Sequence, residues 1–258
     1  MRSPLSITLS VWRALLLREA LARLFSSRAA WFWLLAEPIF HVLFLVFVFA
    51  VVRIRMIGGI DTTIWVMVGL LAFFLFRRTG TQVMNAVDAN RALFTYRQVK
   101  PIDTALVRAV LEAWLMVVIT ALLLAIAGLL GHIPFPDDPL MVIGSLCGLW
   151  LFGLGFGLIM SVAGELVPEL DRVVKLAMTP LYFLSGVIFP ISAVPQPYRD
   201  ILLMNPITHG LEATRLGFSG YYHAVPELSI SYLYGSALCS IFMGLVLYRR
   251  FGLRLVTQ

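Results

Sequence analysis

Glu37 and His41 stand four residues apart inside an apolar run, with Pro38 beside them. On a helix that spacing puts a carboxylate and an imidazole on one face. Two uses follow: a polar path or proton relay through a membrane, or a pair held near the aqueous surface. Pro38 kinks that helix or marks its start. Arg108 and Glu112 repeat the spacing in a second apolar run and read as a structural ion pair. The other reactive residues are scattered. His132, His209 and His223 have no ligand neighbours at metal spacing, and Cys147 and Cys239 each sit in an apolar run as small membrane residues. No G-x-x-x-x-G-K-[ST], H-E-x-x-H or G-x-S-x-G pattern occurs, so neither a phosphate cradle nor a hydrolytic centre is expected. No catalytic, cofactor or metal site follows from these residues. An intramembrane enzyme built on Glu37, His41 and His209 is the disfavoured alternative, beside a structural or assembly protein.

The elements that must position these residues are membrane spans. Of 258 residues 60% are hydrophobic and 13% charged, against about 25% charged in a soluble domain. A spanning helix needs about 20 mainly apolar residues. Six runs qualify, over about 31–52, 60–77, 106–130, 140–163, 173–190 and 229–249, the second and fifth being short. Basic residues set the orientation. Residues 1–30 carry five arginines, the 77–105 segment five basic residues, the 164–175 loop two and the C-terminal tail three. The intervening loops hold only Arg53, Arg55, Arg199 and Arg215. The positive-inside rule then puts both termini in the cytoplasm, as an even number of spans requires. The first apolar run lacks a small-residue cleavage site and is expected to stay as an anchor.

Outside the spans, residues 4–28 place Leu5, Leu9, Trp12, Leu16 and Ala20 at helical spacing, which suits an interfacial helix or a basic topology anchor. Residues 79–104 are the most polar internal stretch and are expected to form a cytoplasmic helix ending before Lys100-Pro101. The loop from Glu165 to Arg172 is acidic, which suits a specific contact or a helix start at Pro168-Glu169. Gly144/Gly148 and Gly153/Gly157 let helices approach closely, within one subunit or across a dimer. Between Ser185 and Arg215, breaks at Pro190, Pro195, Pro197 and Asn205-Pro206 interrupt the apolar pattern. Such an order suits short broken helices that enter the bilayer and turn back.

This layout, with FLSGVIFPISAVPQPYRDILLMNPITHGLEATR over 183–215, resembles the membrane subunit of ABC-2 type exporters. ALFTYRQVKPIDTALVRAVLEAW over 92–114 resembles the polysaccharide-export branch, capsule exporters of the KpsM kind above all, with O-antigen (Wzm-type) permeases as near neighbours. The resemblance implies an all-α membrane protein. It has six spans, an N-terminal amphipathic helix and periplasmic re-entrant helices over 191–222. It implies a homodimer in the bacterial inner membrane, each copy engaging a separate ATPase subunit that holds ATP and magnesium. This chain would bind no cofactor and no nucleic acid. Its substrate would be a lipid-linked capsular polysaccharide, with a periplasmic co-polymerase and an outer-membrane channel as further partners. Exporters of other glycans, lipids or drugs are the alternatives.

By family position, Asn85, Asp88, Arg91, Tyr96 and Arg97 would meet the ATPase, with Glu169 and Asp171 as a second contact. A sugar polymer needs polar groups and aromatic faces along its path. Glu37, His41, Trp65, Phe73, Phe76 and Tyr182 are the candidates. Tryptophan and tyrosine also form interfacial belts.

Overall fold

The structure is a computed structural model describing residues 4–25, 29–52, 56–96 and 98–257. Most of its described residues are helical. Helix α1 (Pro4–Phe25) precedes α2 (Ala30–Val51), and a two-stranded hairpin pairs β1 (Met56–Ile57) with β2 (Ile60–Asp61). Gly58 and Gly59 form its turn, with φ of 58° and 95°, values that favour glycine. Then come α3 (Thr62–Met84), a 3-10 helix (Asp88–Thr95), α4 (Pro101–Leu129), α5 (Pro139–Leu166), α6 (Leu170–Leu184), α7 (Tyr198–Leu203), α8 (Pro206–Phe218) and α9 (Ile230–Thr257).

Local chemistry starts these helices where the chain breaks. The Asp61 carboxylate accepts from the Thr63 and Ile64 amides, Asp138 from Met141 and Asn205 from Ile207. Each cap satisfies amides that have no partner inside the helix. Pro101, Pro139 and Pro206 occupy first-turn positions, where a missing N–H costs nothing.

Five of these helices are long and apolar enough to cross a membrane: Trp31–Phe49, Thr62–Met84, Pro101–Leu129, Pro139–Leu166 and Ile230–Gly252. The expected fifth span, 173–190, differs. Helix α6 has 15 residues, about 22 Å of rise against a hydrocarbon core of about 30 Å. It stops because Ser185 caps it and Gly186 turns the chain at φ 71°. The expected continuous helix over 79–104 is also corrected. α3 runs on to Met84, the chain turns at Asn85, and the polar stretch winds as the 3-10 helix before α4 begins at Pro101. Lys100 is extended (φ −102°, ψ 150°), as a residue before proline must be.

α3 lies at the centre of the bundle and is buried on nearly every face, packed among α2, α4, α5 and α8. α5 reaches it through glycines. A Cβ on Gly153 would sit 2.8 Å from the Phe76 carbonyl oxygen of α3, and one on Gly157 would sit 2.7 Å from that of Gly80. On another face of α5, a Cβ on Gly155 would come within 2.7 Å of the Ile241 amide nitrogen of α9. Gly153, Gly155 and Gly157 of α5 therefore serve packing inside one chain, while a Cβ on Gly144 would meet nothing within 4 Å. The outer faces of α2 (Phe40, Phe44, Phe47), α4 (Trp114, Val117) and α9 (Leu238, Phe242) are apolar and exposed, as lipid contact requires.

Candidate functional site

The ends of α3 and α5 and the start of α6 meet at the end of the bundle that carries most of the basic residues. There they enclose a cleft of about 360 Å³ lined by Asn85, Asp88, Arg91, Glu165, Pro168 and Asp171 among others. Four residues expected to meet a partner, Asn85, Asp88, Arg91 and Asp171, are thus brought together. Arg91 organises it. Its guanidinium donates to Asp88 Oδ1 at 2.7 Å and to both oxygens of Glu165 at 2.7 and 2.8 Å. The hydrogen bond to Asp88, with the charge of Glu165, raises the Arg91 pKa above its ordinary value, so the guanidinium stays charged at neutral pH. Glu165 is the less obvious member, with a side chain only 9% exposed. Asp171 pairs with Lys175 at 2.6 Å. Glu169 is the exposed cap residue of α6, and Tyr96 stands 66% exposed after the 3-10 helix. Arg97 lies outside the described residues.

The cleft is tied to a second polar assembly. Arg108 Nη1 donates to the carbonyl of Asn85 at 3.0 Å, while its Nη2 pairs with Glu19 of α1 at 2.8 Å. Glu112 has no exposed surface. It pairs with Arg78 Nε at 3.1 Å and with Arg23 of α1. The expected Arg108–Glu112 pair is therefore corrected: each takes a partner from other helices. On α1 the inward face is Leu15, Glu19 and Arg23, three residues at four-residue spacing. Leu9, on the apolar stripe expected of an interfacial helix, is 65% exposed. Burial lowers the Arg23 pKa to about 10, still charged at neutral pH. Trp12 Nε1 donates to Asp103 at 2.9 Å and Arg18 to Asn90 at 3.1 Å. α1 is thus fastened both to the start of α4 and to the 3-10 helix beside the cleft.

The expected path residues part company. Trp65, Phe73 and Phe76 are sealed in the core, at most 1% exposed, so the expectation that they offer ring faces to a passing polymer is corrected. Phe76 stacks on Phe152 at 5.4 Å, and Phe73 meets the Tyr182 ring at 5.3 Å. Tyr182 is also buried, its hydroxyl 3.4 Å from His41 Nε2. Glu37 is exposed and pairs with Arg77 of α3, not with His41.

Trp65 has another role, one that the sequence did not suggest. The Arg215 guanidinium of α8 lies 3.7 Å from its ring centroid. It also donates to the carbonyls of Gly186 (2.9 Å) and Val187 (2.8 Å), and to Glu212 (3.0 Å). The Tyr222 hydroxyl donates to Glu212 at 2.9 Å. Arg215 and Glu212 are both fully buried, so this clasp locks the broken segment after α6 onto α3. The one signal for it was a Glu and an Arg three residues apart on a helix flanked by apolar sequence. For α1 the signal was its single acidic residue among arginines.

Residues 10–219 match the ABC-2 type transporter family. The chain is 34% identical over 236 residues to the polysialic acid transport protein KpsM of Escherichia coli, covering 92% of this chain and 91% of that one. It is 26% identical over 251 residues to the capsule polysaccharide export inner-membrane protein BexB of Haemophilus influenzae, covering 97% and 94%. It is also 26% identical over 210 residues to the capsule polysaccharide export inner-membrane protein CtrC of Neisseria meningitidis, covering 80% and 78%. With its apolar spanning helices and a match across most of its length, the chain is a multi-pass membrane protein of the ABC-2 type transporter family.

Proposed function

We propose that this chain is the permease subunit of an ATP-driven exporter that moves a lipid-linked capsular polysaccharide across the inner membrane. Likeness along nearly the whole chain to proteins named for polysialic acid transport and capsule export carries the reading. Both termini face the cytoplasm, on the placement of arginine and lysine. Two copies form the permease. Each engages one ATPase subunit, which holds ATP and magnesium, and this chain binds neither. A periplasmic co-polymerase and an outer-membrane channel continue the route.

The cleft gives the subunit a place to receive work. Asp88 and Arg91 lie on the 3-10 helix, Glu165 ends α5 and Asp171 opens α6. A partner pressing on the 3-10 helix pushes Arg91 against Glu165 and pulls α1 through the Arg18–Asn90 bond. Motion at the ATPase then reaches three helices at once. Glu37 and His41 remain the polar groups of a path between two copies, with Glu37 exposed on α2.

Deleting the gene in its host and fractionating the surface glycan tests the reading. Polymer retained in the cytoplasm with a bare surface is the expected result, and unchanged surface glycan sinks it. Complementation with Arg91→Glu then tests the cleft. The reversed charge would face Asp88 and Glu165, so ATP hydrolysis by the complex should persist while export falls. Normal export with Arg91→Glu removes the cleft from the coupling route.

A further inference from the structure

In the half of the bundle away from the cleft, α7, α8 and the start of α9 meet around one imidazole. His209 of α8 is 4% exposed. Its Nε2 lies 2.8 Å from the carbonyl oxygen of Leu203, the last residue of α7. Its Nδ1 lies 3.2 Å from the amide nitrogen of Ser229, the residue before α9. We infer that His209 is an acid-released pin, which holds α9 to the short helices of the broken segment while neutral and lets go when protonated.

The two partners fix the state of the ring. A carbonyl oxygen only accepts, so Nε2 carries the hydrogen; a backbone amide only donates, so Nδ1 keeps its lone pair. That is the neutral tautomer with both ring nitrogens in use. A proton added at Nδ1 sets one N–H against another, and the Ser229 amide loses its acceptor beside a buried ring. Ser229 also starts α9, its Oγ accepting from the Tyr232 amide at 3.1 Å. The Tyr232 hydroxyl donates to the Met204 carbonyl at 2.8 Å, and its ring meets the imidazole edge-on at 5.2 Å. Release of Ser229 therefore loosens the entry of α9 into the bundle.

Among the described residues, the imidazole pairs with no charged side chain that could hold a proton on it. Arg199 of α7 pairs with Glu227 at 3.6 Å, and Glu212 and Arg215 of α8 hold each other at 3.0 Å, with Tyr222 on Glu212. α9 carries no acidic or basic side chain before Arg249, and Arg77, Arg78 and Glu165 stand in the cleft halves of α3 and α5. Asp200 and Glu227 are exposed on either side of the pin in the chain, so water lies close. Opening brings the ring to that water, where imidazoles take a proton near about pH 6.5. The open form then binds one proton more than the closed form. The hold is complete well above that pH and weakens as pH falls through it, by about 30-fold between pH 7.5 and 5.0.

Amide hydrogen exchange of the full-length protein in nanodiscs at those two pH values tests this, with rates divided by the intrinsic rate at each pH. Residues 198–205 and 226–233 should lose about 30-fold in protection at pH 5.0, and α5 should lose none. His209→Asn and His209→Gln take up no proton and should flatten the profile, whatever protection each starts from. The full loss persisting in either variant would hand the titration to another group and overturn the pin. So would a flat profile in the unaltered protein, or an equal loss in α5. If neither variant assembles, His132→Asn/His223→Asn decides. It removes the histidines that meet Asp61 and the Gly58 carbonyl and should keep the 30-fold loss; disappearance of the loss there would overturn the assignment to His209. Both faces of a nanodisc meet one buffer, so no outcome depends on the proposed orientation or on what the chain exports.

Discussion

Replacing Glu112 by Gln should release α1 from the bundle without unfolding the rest. Glu112 and Glu19 are the two carboxylates among Arg23, Arg78 and Arg108. Counted as formal charges the five groups sum to +1, and Gln at 112 raises that to +2 in a buried place. Glu112 has no exposed surface, so water cannot replace the lost anion. Removing one partner of a buried pair costs about 3–5 kcal/mol, mostly because the other charge is left uncompensated. Arg23 can respond by swinging out with α1, since Glu19 is on the same helix. Taking the lower figure, opening of α1 should become about 100-fold more frequent, at 1.4 kcal/mol per tenfold. Amide hydrogen exchange in nanodiscs reads this directly: α1 should lose roughly two decades of protection while α5 keeps its own. Glu112→Gln/Arg23→Gln restores the charge balance and should recover part of the loss, an interaction that only coupled residues show. Unchanged protection in α1, or equal loss in α1 and α5, would refute the latch.

Two further substitutions probe the buried contacts of α3. A Cβ on Gly69 would sit 2.3 Å from Arg215 Nη2 and 2.9 Å from its Cζ, so Gly69→Ala should expel Arg215 from its place over Trp65 and lower the melting temperature in detergent. The same change in an Arg215→Ala background should be nearly silent, because the atoms it strikes are gone; additive losses would contradict that geometry. Gly157→Val meets the Gly80 carbonyl at 2.7 Å and the Val83 side chain at 2.6 Å. It should prevent assembly of α5 on α3, read as loss of monodisperse protein on size exclusion, whereas Gly164→Val, with nothing within 4 Å, should behave as the parent does.

Most of the architecture was legible because membrane folding writes much of itself in one dimension. Apolar runs long enough to span mark α2, α3, α4, α5 and α9, since each backbone amide in lipid must bond within its own helix. The proline breaks read at Pro101 and Asn205-Pro206 fall at helix starts, for reasons confined to one turn. Polar residues cluster around Asp88, Arg91 and Asp171 on a chain that is otherwise apolar, and the fold brings these three to one cleft.

The errors share a cause. Hydropathy cannot tell a residue facing lipid from one facing another helix, since both are apolar. Phe40 and Phe73 read alike, yet one is 64% exposed and the other sealed. Spacing of four suggested Glu37–His41 and Arg108–Glu112, but a charge in a low-dielectric site takes whichever opposite charge the packing brings nearest. Packing brought Arg77 to Glu37, Arg23 and Arg78 to Glu112, and Arg215 to the carbonyls of Gly186 and Val187. The sequence by itself determined which five segments are long and apolar enough to span and which family the chain resembles, because those depend on local composition. Only the tertiary structure decided which charges meet and which rings are sealed away, because those depend on distances between segments tens of residues apart.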